Sequence, residues 1–306
     1  VGSEMCIRDR AATATSFSGW TFVGHPGKIF TDGLPYAFAS FYALTIPFTG
    51  VLFLRRQWVL GRAYRYITPG EMYSDYYGGN SIRMLTVLVA FLFSVPYLGV
   101  QLRASGDLFS VLTDGLVNPN TGMIALSTVV MIYVASGGLR SVAFVDCAQA
   151  VLLALGIAIL GGIVIYYAGG WGGFTASFAE VVRNDLALDN NLTSDGFSSK
   201  VALPGSIQFV SSGAQSIGGG WTGIMCMTYM FALMGIQSSP AFSMWAYSNK
   251  TSRAFRWQQV VASSLVIGVI LFSFTIIQGI GGHVLIEKGV IENATDKNLI
   301  PQLINL

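Results

Sequence analysis

The residues of this chain that could do chemistry mostly carry oxygen, and they lie inside or beside long apolar stretches. Asp146 interrupts one such stretch, and the segments 24–27 and 235–240, rich in Gly and Pro, interrupt others. Oxygen atoms suit reversible binding of a small organic solute or of a hard cation, although each residue alone is also typical of packing or capping. The candidates for contact with a solute are Ser16, Ser18 and Thr21 near the first segment, and Phe231, Gln237, Ser238 and Pro240 near the second.

Covalent or metal-assisted catalysis would need a nucleophile, a base or metal ligands gathered near one another. The two histidines, His25 and His283, are far apart in sequence and each lies beside a glycine, so both are interpreted as loop or capping residues. The three cysteines are too scattered for a disulfide framework or a metal cluster. A channel would show a filter loop or a ring of acids, and neither pattern is present. The sequence therefore predicts neither an enzyme nor a channel, and it predicts no cofactor.

The elements that must position these residues are membrane helices. The chain is 53% hydrophobic and 10% charged, against roughly 25% charged residues in soluble domains. A span needs about 20 mostly apolar residues, so the pattern predicts an all-α, multi-pass membrane protein with about seven spans. The first stretch is marginal in length, and the helix of the sixth is expected from about residue 218. The stretches free of Asp, Glu, Lys and Arg are 11–27, 33–54, 84–102, 115–139, 147–179, 201–249 and 257–286.

The charged residues between these stretches predict the orientation. The link after the second stretch carries Arg55, Arg56, Arg62, Arg65 and Arg83, and this excess of arginine indicates the cytoplasmic side. The link 180–200 carries four acids against two basic residues and is expected outside. Because the basic residues stand at helix ends rather than in one patch, a nucleic-acid partner is not expected.

Two of the predicted helices are interrupted, at 24–27 and at 235–240. Proline lacks an amide and clashes with the preceding turn, so such breaks free backbone groups that hydrocarbon cannot satisfy. Paired interrupted helices in corresponding positions of two halves indicate a secondary transporter with inverted repeats and a binding site near the midplane. Either interruption taken alone could be an ordinary kink.

One block of sequence resembles the signature of a known family. Residues 133–149 read YVASGGLRSVAFVDCAQ, similar to the helix end and following Thr-Asp-x-x-Gln of the sodium:solute symporter family, with Val145 in place of the threonine. The segment around Ser18-Gly19-Trp20 resembles the first core helix of that family, and Arg62 with Thr68-Pro69-Gly70-Glu71 resembles its cytoplasmic loop. The segment 235–240 resembles its broken sixth core helix.

This resemblance implies a leucine-transporter-type bundle made of two inverted repeats of five helices. The first repeat is then expected over 11–167, an extracellular loop over 168–217, the first two helices of the second repeat over 218–283, and the start of a further loop over 284–306. Residues 1–10 are interpreted as a non-native or disordered leader. The chain is expected to be a fragment, truncated at both ends and lacking core helices eight to ten.

The resemblance further implies sodium-coupled symport of a small organic solute by alternating access, in a membrane of the bacterial cytoplasmic type. The carbonyls of Ala14 and Phe17 would supply part of the sodium shell, and Asp146 corresponds to an acid on the inner sodium path. Asp146 could equally be a helix N-terminal acid paired with Arg140. No metal other than sodium, as the coupling ion, is expected. The alternative function is a membrane sensor that uses a symporter-like input module.

Two smaller expectations concern specificity. Some relatives that carry sugars place a Glu and a Ser on the second core helix, where this chain has Ser40 and Ala43, and this difference disfavours a sugar. Arg103 and Asp107 stand four residues apart, one helical turn, and are expected to form a surface ion pair rather than an anion site.

Overall fold

The computed structural model describes residues 19–40, 50–188, 192, 196–203, 221–235, 239–249, 252–255, 268–292, 294–295 and 298–306. These residues are nearly all helical, and the one strand-like pairing among them is an isolated bridge between Leu192 and Ser198. The predicted all-α fold is therefore confirmed. Its grouping into repeats and loops stays a prediction.

The described helices follow one another with short connections. Two π turns (Trp20–Gly24 and Gly50–Leu54) lead into α1 and α3, and a 3₁₀ turn (Ser252–Phe255) follows α9. The helices are α1 (His25–Asp32), α2 (Leu34–Ala39), α3 (Arg55–Tyr64), α4 (Pro69–Tyr77), α5 (Asn80–Leu112), α6 (Pro119–Tyr167), α7 (Gly170–Ala187), α8 (Gly223–Met234), α9 (Pro240–Ser248), α10 (Ile270–Glu287) and α11 (Leu299–Ile304).

Three helical segments are long and apolar enough to cross a membrane. They are α5, with 33 residues, and the 20-residue and 27-residue parts of α6 on either side of a kink at Gly138. Gly138 has φ 56° and ψ −159°, a conformation that glycine adopts at little cost. These segments correspond to the predicted stretches 84–102, 115–139 and 147–179, except that α6 ends at Tyr167.

The side chains of these long helices are largely exposed. Phe91 is 66% exposed, Ile124 69% and Leu152 68%. Large apolar side chains in such numbers cannot face water, and they are expected where a helix faces lipid. The membrane location is therefore supported by the structure as well as by composition. The predicted total of about seven spans is not tested, because several of the other stretches fall partly outside the described residues.

The predicted break at 24–27 is wrong in form. The chain there stays helical: the π turn leads directly into α1, and the amide of His25 donates to the carbonyl of Trp20 five residues earlier. Pro26 falls in the first turn of α1, where the amide that proline lacks would have no helical partner. The helix is broken instead at Gly33, whose φ of 74° separates α1 from α2.

The main buried core lies where α10 crosses α1 and the last turns of α6. Ile29, Val164 and Val284 are fully buried there. A side chain added at Gly279 would overlap Ile29, and one added at Gly281 would overlap Val164. Glycine at these positions therefore lets α10 approach both neighbours closely, as small residues do in membrane bundles.

A second, smaller core joins α3 to α9. It consists of Leu54, Ala246 and Phe255, with Trp58 packed against them. Gly61 of α3 lies against the ring of Tyr247, where any larger residue would clash. α9 is thus held by the arginine-rich link rather than by the main core.

Candidate functional site

The interruption predicted at 235–240 is present on both sides of its centre. α8 ends at Met234 and α9 begins at Pro240, with Ser239 in an extended conformation (φ −65°, ψ 151°) at the N-cap. The hydroxyl of Ser239 is buried and has no hydrogen-bond partner among the described groups. Because a buried hydroxyl without a partner is costly, this position suits a ligand or water. Residues 236–238, including Gln237 and Ser238, lie outside the described residues.

A cavity of about 610 Å³ lies against this interruption. Its volume is within the range of roughly 300 to 1,000 Å³ that small-molecule sites occupy. Gly235, Ser239 and Pro240 form one wall. The other walls come from α4, α5 and α8, through Pro69, Tyr73, Tyr77, Ile82, Leu85, Thr86, Val89, Phe93 and Ala232.

The chemistry of this cavity is mainly apolar, with a few hydroxyl groups. Thr86 already donates its hydroxyl to the carbonyl of Ile82 at 2.9 Å, so it has no hydrogen left to give. Ser239 therefore offers the free hydroxyl of this wall. Such a lining can hold a compact organic molecule by contact, with a small number of polar groups that fix its orientation.

A second cavity of about 440 Å³ lies beside the first π turn. Trp20 and Gly24 line it on one side, and α5 lines it on the other with Pro96, Arg103 and Asp107. Arg103 and Asp107 are joined by two contacts of 3.0 Å, as the sequence predicted for a surface pair. The guanidinium is thus already neutralised within this cavity.

The described candidates from the sequence do not share one cavity. Thr21 is buried on the π turn, whereas Pro240 lines the larger cavity. Phe231 is 67% exposed on α8, although its neighbour Ala232 faces the larger cavity. Asp146 is half-buried in the second part of α6, and the side chain of Arg140 lies outside the described residues, as do Ala14, Ser16, Phe17 and Ser18.

A polar cluster that sequence reasoning missed is built around His25. The interpretation of His25 as a loop or capping residue is wrong, because the side chain is fully buried between three helices. Its Nδ1 lies 3.0 Å from the hydroxyl of Thr275 on α10, and its Nε2 is hydrogen-bonded to Ser40 after α2. The ring also meets Phe272 edge-on at 4.5 Å.

Counting hydrogens constrains this cluster. The hydroxyl of Ser40 can donate to the carbonyl of Tyr36 at 3.1 Å, and that of Thr275 can donate to Phe272 at 2.9 Å. A neutral imidazole supplies one donor and one acceptor. One of the two hydroxyls must therefore give its hydrogen to the ring instead of to the backbone. The cluster fixes the relative positions of α1, α2 and α10.

His283 is likewise not a loop residue. It lies within α10, its Nε2 donates to the carbonyl of Phe30 at 2.7 Å, and its ring stacks on Phe30 at 4.2 Å. Both histidines thus tie α10 to α1. No local pattern could have indicated this, since His25 and Thr275 are 250 residues apart.

Comparisons with known proteins agree with this architecture. The family model described as sodium:solute symporter family matches residues 8–285. The uncharacterized symporter YhjB of Bacillus subtilis is 20% identical over 84% of this chain and 47% of its own length. The sodium/pantothenate symporter of Escherichia coli is 21% identical over 89% of this chain and 51% of its own length. The high-affinity choline transporter 1 of Drosophila melanogaster is 32% identical over 47% of this chain and 23% of its own length. The chain therefore spans about half the length of the relatives that it matches most fully.

Proposed function

Because the chain belongs to the sodium:solute symporter family, we propose that it carries the solute-binding half of a symporter that moves a small organic solute together with sodium. The observation that supports this most directly is the interrupted helix between Met234 and Pro240, which borders a cavity of about 610 Å³. An interruption of this kind exposes backbone groups where an apolar helix would hide them. Relatives named as symporters make transport the natural use of such a site.

The proposed solute site uses the groups at both helical irregularities. Ser16, Ser18 and Thr21 would contribute from the first core helix, and Phe231, Gln237, Ser238 and Pro240 from the sixth. Pro240 and the buried hydroxyl of Ser239 already border the larger cavity. The apolar walls favour a solute with a substantial hydrocarbon part, and the few hydroxyls would orient its polar end.

The proposed sodium site uses oxygen ligands, as a hard cation requires. The carbonyls of Ala14 and Phe17 would bind the ion, and Asp146 would attract it along the inner path. Sodium would be the coupling ion, with no cofactor. Each charge moved inward would gain about 2.3 kcal/mol per 100 mV of membrane potential, and alternating access would couple that gain to the solute.

The symporter would be a multi-pass protein of a bacterial-type cytoplasmic membrane, and it would bind rather than chemically change its solute. Lipid, sodium and the solute are its proposed partners, and nucleic acid is not one. The apolar faces of α5 and α6 support the membrane location.

The test is uptake into proteoliposomes that contain the purified chain. Radiolabelled pantothenate and choline are suitable first probes, since relatives are named for them. We expect uptake of a transported probe to fall at least tenfold when external choline salts are replaced for sodium, using N-methylglucamine where choline is the probe. Uptake at equal rates with and without sodium would contradict sodium coupling. Binding of radioactive sodium by the chain, measured in the same preparation, separates loss of the ion site from a wrong choice of solute.

A further inference from the structure

One surface of the chain has a charge pattern that the transport proposal does not use. It consists of the exposed residues of the second π turn and of α3, namely Leu52, Phe53, Arg55, Arg56, Val59 and Leu60. We propose that this surface, the α3 face, is an interfacial element that binds the headgroups of anionic phospholipids. This inference does not depend on the identity of the solute or of the coupling ion.

The helix exposes this face because its opposite face is occupied. Gln57 is buried and Gly61 lies against Tyr247, so that side of α3 packs on α9. Successive side chains on a helix turn by about 100°, which places Arg55 with Val59, and Arg56 with Leu60, on the side away from α9. Val59 is 52% exposed and Leu60 is 39% exposed.

The charges on this face lack protein partners. Arg55, Arg56 and Arg65 form no ion pair with another residue of the described part of the chain. The two acids of the same link are engaged elsewhere: Glu71 accepts from the amide of Ile67 at 2.8 Å and pairs with Arg83, and Asp75 is hydrogen-bonded to Tyr66. The arginines are therefore available to an external anion.

The apolar neighbours of these arginines indicate which anion. Leu52 is 53% exposed and Phe53 is 47% exposed, directly before Arg55 and at the end of a predicted apolar stretch. A soluble anion would leave these side chains in water, whereas a lipid would cover them with acyl chains while its phosphate meets the guanidinium groups. Basic and apolar residues on one helix face are typical of helices that lie in the membrane interface, and a basic cluster beside a span attracts anionic lipid.

The position of α3 gives this binding a structural consequence. The same helix that presents the arginines to lipid holds α9 through its opposite face. An anionic headgroup bound to the α3 face would therefore fix α3 at the membrane surface and, through it, the end of the interrupted sixth core helix.

The test measures lipid adducts on the purified full chain by native mass spectrometry in an uncharged detergent. The probes are dioleoyl phosphatidylglycerol and dioleoyl phosphatidylcholine, which differ only in the headgroup. We expect phosphatidylglycerol to bind more tightly, with the preference lost in 1 M salt because screening is then nearly complete. The variant R55Q/R56Q/R65Q should lower the preference roughly tenfold or more, given about fivefold for each arginine near an anionic surface.

Matched controls separate this proposal from its competitors. The variant R103Q/R183Q/K288Q removes the same charge from other exposed positions and should keep the preference, as should R55K/R56K/R65K, which keeps the charge. Equal binding of both lipids by the unaltered chain, or an equal loss in R103Q/R183Q/K288Q, would overturn the proposal. So would displacement of the lipid by millimolar inorganic phosphate, or a dimer that the glutamine variant abolishes, since the surface would then bind free phosphate or a second copy. If the glutamine variant fails to fold, the unaltered chain and the lysine variant still decide.

Discussion

Arg62 of α3 donates a hydrogen bond of 3.0 Å to the main-chain carbonyl of Asn249, the residue at which α9 ends. Trp58 donates to the same carbonyl, also at 3.0 Å, and the guanidinium lies 5.8 Å from its ring centre. The carbonyl end of a helix carries partial negative charge, so a cation is well placed there. The inner half of the interrupted helix is thus fastened to the first cytoplasmic link.

This contact predicts the effect of Arg62→Gln. The variant removes a charge-assisted hydrogen bond at a helix terminus, which is worth about 1.5 to 3 kcal/mol. We expect the free energy of unfolding, measured by titration of detergent micelles with dodecyl sulfate, to fall by about that amount. Arg65→Gln is the matched control, because Arg65 has no described partner; an equal loss in both variants would show that general charge, not the Asn249 contact, is responsible.

The buried cluster predicts coupling between His25 and Thr275. His25→Ala leaves the hydroxyls of Ser40 and Thr275 without their buried partner, which costs about 1 to 3 kcal/mol. Thr275→Val in the same background should then cost less than it does alone, with a coupling energy of about 0.5 to 3 kcal/mol. The measurement is a double-mutant cycle of unfolding free energies. Thr228→Val, on an exposed threonine of α8, is the control, and additive losses at His25 and Thr275 would refute the coupling.

How far the sequence predicted this structure depends on the range of the signal. The long apolar helices follow from the absence of charge over about 20 residues, and the interruption before Pro240 follows from proline itself. Both are local signals. The interruption at 24–27 failed because the same chemistry has another local solution, in which Pro26 occupies the first turn of α1.

The contacts that assemble the bundle could not be predicted in this way. Thr275 reads as one polar residue in an apolar helix, and its partner lies 250 residues away. The bond between Arg62 and Asn249 spans 187 residues. The larger cavity likewise exists only where α4, α5 and the interrupted helix meet. Tertiary packing decides these features, and one sequence carries no record of it.

The cytoplasmic link predicts a change with pH. The hydrogen bond that Tyr66 donates to Asp75 raises the pKa of Tyr66 from 10.0 to about 12, with burial as a lesser cause. A raised pKa means that the bond stabilises the fold fully below pH 10.0 and is lost as the pH rises through about 12. Tyrosinate absorbance, taken as the difference between the unaltered chain and Tyr66→Phe, should show this late titration. Asp75→Asn should shift it to lower pH, and an unchanged midpoint would exclude Asp75 as the cause.

The larger cavity predicts that its volume matters for solute binding. Ala232→Trp would fill part of the space of about 610 Å³ beside Gly235 and Pro240. We expect the affinity for a bound solute, measured by isothermal titration, to fall at least tenfold, with sodium binding unchanged. Ile224→Trp adds the same ring on a side chain of α8 that is 78% exposed. Equal affinities in the Ala232 variant and the unaltered chain would place the solute elsewhere.

Asp146 predicts a difference between an ion-path residue and a structural one. Asp146→Asn keeps the side-chain volume and removes the charge, so a role in attracting sodium should appear as a weaker affinity for radioactive sodium. A loss of about tenfold corresponds to about 1.4 kcal/mol, below the usual worth of a contact to a charged group. Asp107→Asn, which breaks the surface pair with Arg103, is the matched control and should leave sodium affinity unchanged. If Asp146→Asn instead lowers the free energy of unfolding while sodium affinity stays the same, Asp146 serves the start of its helix and the ion path lies elsewhere.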